Sequence, residues 1–137
     1  MDTHTTQIDN IIKEINSVQE KRVSLALKES VLFWSESALW YKAKEAFFSR
    51  EKIESWASFL RKLKVPLFTV EFRVALYKKW IKNLGYTPKD LAGIHTKKLH
   101  RAIPYVATKK IAGRVLIKAR ELSYKEFLTW LNGHFKK

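Results

Sequence analysis

Lysine and arginine are concentrated in one part of this chain, and the chemistry open to concentrated cations is the neutralisation of phosphates. Residues 61–118 hold fifteen basic residues against only Glu71 and Asp90. All but Lys89 fall into three clusters. The first is Arg61, Lys62 and Lys64, and the second is Arg73, Lys78, Lys79 and Lys82. The third comprises Lys97, Lys98 and Arg101, then Lys109, Lys110, Arg114 and Lys118. Lys110, Arg114 and Lys118 are spaced to form one stripe of a helix, with Ile111, Val115 and Ala119, and also Ala112 and Leu116, facing the other way. No Glu–Lys pair at i,i+4 relieves repulsion within 109–118. A basic run is ordinarily a solvated face with acids interleaved. Here the acids are missing, and an external polyanion would supply the relief, with nucleic acid the first to consider.

Other chemistries find few residues to work with. His4, His95, His100 and His134 have no metal-ligand spacing. The absence of cysteine excludes disulfides and thiolate metal sites and fits a reducing, cytoplasmic setting. Neither HExxH, a glycine-rich phosphate loop nor an EF-hand loop is present. Asp90 and Glu126 are better explained as helix-capping acids than as paired catalytic carboxylates. No catalytic set, metal or cofactor is expected. The five tryptophans lie at helical spacing among other apolar residues, so they read as core before they read as a base-stacking platform.

The elements that position the cations are predicted to be helices throughout: an all-α multi-helix bundle with a helix-turn-helix-like core and a long N-terminal helix. Four glycines and three prolines leave little room for strands or long loops. Two regions differ in charge. Residues 1–48 carry six basic and seven acidic residues, whereas 49–137 carry twenty-one and six, a net of +15. The first region is expected to serve core packing and candidate dimerisation, the second nucleic-acid binding. Thr6 and Asp9 predict the cap of a first helix with Ile8, Ile11, Ile15, Val18, Leu25 and Leu32 at 3-4 spacing, interrupted by Arg22 and Glu29. That pattern suits either a helix packed on its own domain or a homodimer seam. From Val31 to Phe48 the apolar pattern broadens, as in a helix buried on many sides.

Residues 51–84 read as helix, turn, helix. Ser49 is the expected cap of a helix over 50 to about 62, and Lys64-Val65-Pro66-Leu67 breaks it. A second helix runs from Leu67 or Thr69 to about Leu84, ended by Gly85. In a helix-turn-helix this would aim Thr69, Glu71, Arg73 and Lys78 at DNA and bury Phe72, Leu76 and Trp80. Any helical hairpin is wired the same way, and Lys64 stands where such turns commonly have glycine. Further starts are predicted at Thr87-Pro88-Lys89-Asp90 (ending near Gly93), Thr96, Thr108 and Ser123 with Glu126, the last helix stopping at Asn132-Gly133.

Over residues 56–130 the chain resembles a helical module of prokaryotic plasmid, phage and partition-type DNA-binding proteins. The matching residues are Trp56, Tyr77, the run Leu84-Gly85-Tyr86-Thr87-Pro88-Lys89-Asp90-Leu91-Ala92, Lys98-Leu99, and Ala119-Arg120-Glu121-Leu122-Ser123-Tyr124. The resemblance implies DNA binding through a helix-turn-helix-like core. Lys64 and the dense cations after Ile94 depart from the pattern; the first argues against sharp base readout, the second for backbone contact. The expectation is therefore a cytoplasmic, non-enzymatic DNA-binding protein. The alternatives are a single-stranded DNA- or RNA-binding replication accessory, or an interaction module for an acidic partner. A membrane partner is not expected: the apolar runs fall far short of the roughly 20 residues a span needs, no apolar insertion face flanks the cations, and no secretory leader opens the chain.

Overall fold

The computed structural model describes residues 3–49 and 54–135, with side chains from Thr6 onward, and over them the chain is helical with no strand. Helix α1, Thr3–Phe48, is a single element of 46 residues. At 1.5 Å per residue it is about 69 Å long. It starts before the expected Thr6 cap and does not break where the apolar pattern changes, because no glycine or proline lies within it. Its two halves have different surroundings. Residues 6–25 are exposed all round, so Ile8, Ile11, Ile15 and Val18 are not covered by the chain's own domain. From Ala26 onward one face is covered, with Trp34, Ser37 and Phe47 buried. The broad pattern of 31–48 predicted burial on many sides, yet Val31, Leu32, Leu39 and Phe48 stay exposed.

Helix α2, Trp56–Lys62, is capped by Ser55, whose Oγ accepts from the Ser58 N–H at 3.1 Å. Ser49 does not cap it: its hydroxyl donates to the Ala46 carbonyl at the end of α1. Residues 50–53 of the expected helix lie outside the described residues. The turn after α2 closes with two bonds, Val65 N–H to Leu60 O at 3.1 Å and Lys64 N–H to Arg61 O at 3.0 Å. This is a Schellman motif, and its C′ residue, Lys64, takes φ 60 where glycine is usual. Val65 then packs on the cluster containing Leu60.

Helix α3, Leu67–Leu76, continues into a π-helical stretch, Tyr77–Asn83, and Gly85 at φ 78 ends it as expected. The short helices follow: α4 is Pro88–Leu91 and α5 is Thr96–Ala102, leading into a 3-10 turn, Ile103–Tyr105. Helix α6 is Lys109–Glu121 and α7 is Tyr124–Phe135. The caps at Thr87 with Asp90, at Thr108, and at Ser123 with Glu126 form as predicted. Helix α7 runs through Asn132 and Gly133 rather than stopping there. Phe135 stacks on Tyr105 at 5.1 Å and His134 on Trp130 at 4.9 Å, contacts that hold the last turn.

Two clusters make the core. The larger joins Trp34 of α1 to Leu76, Trp80, Leu91, Leu99, Val115 and Phe127, and the Trp80 indole N–H donates to the Leu99 carbonyl at 3.0 Å. The smaller holds Phe47, Trp56, Leu60, Val70 and Val74. Lys64 is the one strained position in this framework among the described residues. A left-handed conformation costs a non-glycine residue roughly 1–2 kcal/mol, partly offset by the greater freedom of glycine in the unfolded chain. Lys64→Gly is therefore expected to stabilise the protein by up to about 1 kcal/mol, and Lys64→Val to destabilise it by more than about 1 kcal/mol. Denaturant unfolding of the two variants measures both, and a destabilised glycine variant would contradict the turn geometry.

Candidate nucleic-acid interface

The three basic clusters divide into cations that the fold employs and cations that it leaves to solvent. In the first cluster Arg61, Lys62 and Lys64 are exposed at the end of α2 and in the turn, with Lys62 paired to Glu54 at 2.7 Å. Half of the second cluster is engaged by the fold. Arg73 lies over the Phe33 ring at 4.7 Å and pairs with Glu36 at 3.3 Å. Lys82 donates to the Tyr41 hydroxyl, sits over its ring at 4.6 Å, and lies 3.8 Å from Glu45. Lys78 is exposed and Lys79 half-buried.

This arrangement corrects the expected reading face of α3. Glu71 does not point outward: it accepts from Lys44 at 2.8 Å and from the Trp56 indole at 3.0 Å. Arg73 is likewise drawn to α1. The reason is register. Val70 and Val74 bury against α1 and α2, so their neighbours 71 and 73 flank that seam and meet its charges. The exposed first turn of α3 carries Leu67, Phe68 and Thr69 instead. Two of those three cannot donate or accept hydrogen bonds through their side chains, so base-edge readout in a major groove has little to work with. Phe72 is only partly buried, whereas Leu76 and Trp80 are fully so.

The third cluster is mixed. Lys98 donates to the carbonyls of Ala119 and Leu122 at 2.7 and 2.5 Å, satisfying the open C-terminal end of α6. Arg101 donates to the Tyr124 hydroxyl at 3.3 Å, and Lys109 sits 5.1 Å over the Tyr86 ring. Lys97, Lys110 and Arg114 are exposed, and no side-chain partner is found for them among the described residues. Lys118 is half-buried and 3.9 Å from Glu121, an i,i+3 neighbour just beyond the 109–118 stretch. The predicted stripe therefore forms, with Ala112, Val115, Leu116 and Ala119 buried on the other face, but Lys110 and Arg114 carry its open charge. Ile117, exposed as well, lies on the same side.

Helix α5 links these surfaces, packing against α3, α6 and α7. It brings Lys97 and Arg101 to a groove shared with Thr69 and Arg73. The turn cations and the α6 stripe are not part of that groove. Burial, and then the neighbouring Arg101 charge, hold His100 below the ordinary imidazole pKa, so it is neutral near pH 7. Hydrogen bonds from Thr87 hold the Asp90 carboxyl below its ordinary range, the signature of a cap and not of a proton donor.

Phe68, His100 and Tyr124 are groove residues that sequence reasoning passed over. Phe68 continues the four-residue register of Phe72, Leu76 and Trp80 by one turn toward the start of α3, so its spacing reads as core and nothing in the sequence marks it as exposed. Trp34, Trp56 and Trp80 are buried, so the core reading holds for those three. No described helix is long and apolar enough to cross a membrane. Compared with protein-family models, with curated proteins and with solved structures, the chain matches none.

Proposed function

We propose that the protein binds nucleic acid, DNA foremost, as a non-enzymatic binding protein that grips the phosphate backbone. The observation that carries this is the net of +15 over residues 49–137, together with Lys97, Lys110 and Arg114, which have no counter-charge among the described residues. Unrelieved cations on one folded body raise their mutual repulsion, and phosphates remove it while releasing counterions. The resemblance to DNA-binding modules of plasmids and phages favours the same reading. Backbone contacts orient a protein without reading sequence, so modest selectivity is expected.

A second observation favours self-association. Ile11, Val18, Leu25, Leu32 and Leu39 of α1 recur every seven residues, and all five are exposed. Ile8 and Ile15 extend the seam, where Arg22 and Glu29 then replace apolar residues. A parallel coiled coil would stack Arg22 on Arg22 and Glu29 on Glu29 and bring two strongly basic bodies together. An antiparallel pairing centred near residue 27 puts Ile15 against Leu39, brings Arg22 beside the second copy's Glu29, and separates the bodies. We read α1 as the seam of an antiparallel homodimer.

Two outcomes follow. Replacing Lys110, Arg114 and Lys118 by Gln should weaken duplex binding for every sequence tested and reduce the salt slope by about 1 for each phosphate no longer engaged. Lys118 should contribute least, and an unchanged affinity and slope would remove the stripe from the site. For the dimer, Leu25→Glu with Leu32→Glu should halve the mass seen by sedimentation. Because the chain has no cysteine, orientation is read directly. The Arg22→Cys, Glu29→Cys double variant should cross-link, and Arg22→Cys alone should not; a monomeric wild type, or the reverse cross-linking pattern, would refute the pairing.

A further inference from the structure

Between the first turn of α3 and helix α5 lies an open groove of about 600 Å³. One side of it is aromatic. Phe68, 78% exposed, packs on Phe72 with ring centres 6.2 Å apart and planes 29° apart. Phe72 in turn stacks on His100 at 4.5 Å and 28°. Three nearly aligned rings thus lead from solvent into the body. The other side is cationic: Lys97 and Arg101 on α5, with Arg73 at the back. No carboxylate is among the lining residues, although Glu36 pairs with Arg73 from α1.

Each half of the groove lacks something that an outside molecule would supply. An exposed phenylalanine forgoes roughly 1.5–3 kcal/mol of burial, and no described residue covers Phe68. Lys97 has no partner among the described residues, and Arg101 hydrogen-bonds the Tyr124 hydroxyl and has no carboxylate partner there. A flat ring beside an anion fits both halves, and a nucleotide is that combination. In a duplex the base faces are already stacked on each other, so an inserted ring must come from an unpaired base. Aromatic rings beside cations are also how proteins hold single strands without reading their sequence.

We propose that this groove holds unpaired nucleotides of single-stranded nucleic acid, with bases stacked along Phe68, Phe72 and His100 and phosphates on Lys97 and Arg101. The proposal rests on the nucleic-acid reading above and adds to it a site that duplex DNA does not fill. His100 takes part through its ring, which already stacks on Phe72 at 4.5 Å.

The test uses the full chain and three oligonucleotides of equal length: oligo-dT, an abasic strand that carries the same phosphates without bases, and a duplex. Binding is followed by fluorescence anisotropy. Wild type is expected to prefer oligo-dT to the abasic strand by roughly tenfold. Phe68→Ala should erase that preference while leaving duplex affinity unchanged. Because Phe68 is exposed, its loss leaves the core intact, and circular dichroism checks this. Lys97→Gln with Arg101→Gln should weaken both single strands and keep the preference. A wild type that does not distinguish the two strands, or a preference that survives Phe68→Ala, overturns the proposal while duplex binding stands. Failure of all three oligonucleotides to bind overturns the parent reading as well. Phe68-dependent binding of poly-glutamate, without the base preference, would assign the groove to an acidic protein instead.

Discussion

The seam between α1 and α3 with its π-helical continuation decides where the charge of this molecule goes. Three ion pairs cross it: Arg73 with Glu36, Lys44 with Glu71, and Lys82 with Glu45. Each cation also lies near an aromatic ring, of Phe33, Phe48 and Tyr41 in turn. Partly exposed pairs of this kind contribute little stability, about 0–1 kcal/mol each. Stability comes chiefly from the apolar clusters around Trp80 and Trp56. The pairs matter because they consume charge. The nearly neutral first 48 residues supply Glu36 and Glu45 as counter-charges to the second basic cluster and so take part of it out of the outward field.

Much of what remains positive lies in the α2–α3 turn, on α5 and on α6. Those elements are fixed by polar bonds that also draw on cations. Lys98 closes the C-terminal end of α6, and Arg120 donates to the carbonyls of Ala92 and Asp90, tying α6 to the α4 turn. Ser30 of α1 donates to the Pro88 carbonyl from the other side. The framework therefore spends some basic residues to hold others in place, and Lys97, Lys110 and Arg114 are among those left open. Replacing Lys98 would be felt as lost structure, replacing Lys110 as lost surface charge, although the two look alike in the sequence.

Most local chemistry is legible in the sequence and much of the tertiary chemistry is not; the Ser49 cap fails although it is local, and the burial of Leu76 and Trp80 is foreseen although it is tertiary. The boxes at Thr87–Asp90 and Ser123–Glu126, the Thr108 cap and the Gly85 stop depend on neighbours three or four residues away, and each forms. The all-helical fold followed from period and from the scarcity of glycine and proline. The long N-terminal helix forms as one element, because no helix breaker stands where its apolar pattern changes. Helix α7 passes Gly133 because Phe135 finds Tyr105, thirty residues away in sequence. Glu71 and Arg73 were expected on an outward face, and only the packing of Val70 and Val74 on α1 and α2 reveals that they turn inward. Phe68 was invisible for the converse reason: an aromatic residue is read as core until burial shows otherwise.

The central claim is that charge left open by this fold is neutralised by phosphates. The affinity of the wild-type protein for a duplex of arbitrary sequence, followed as salt is raised from about 50 to 200 mM, tests it most directly. The account predicts a linear fall of log affinity with log salt, at a slope of roughly −0.9 per phosphate engaged and a loss of at least about tenfold over that range. An affinity that does not change with salt, or no binding at the lowest salt, would contradict it.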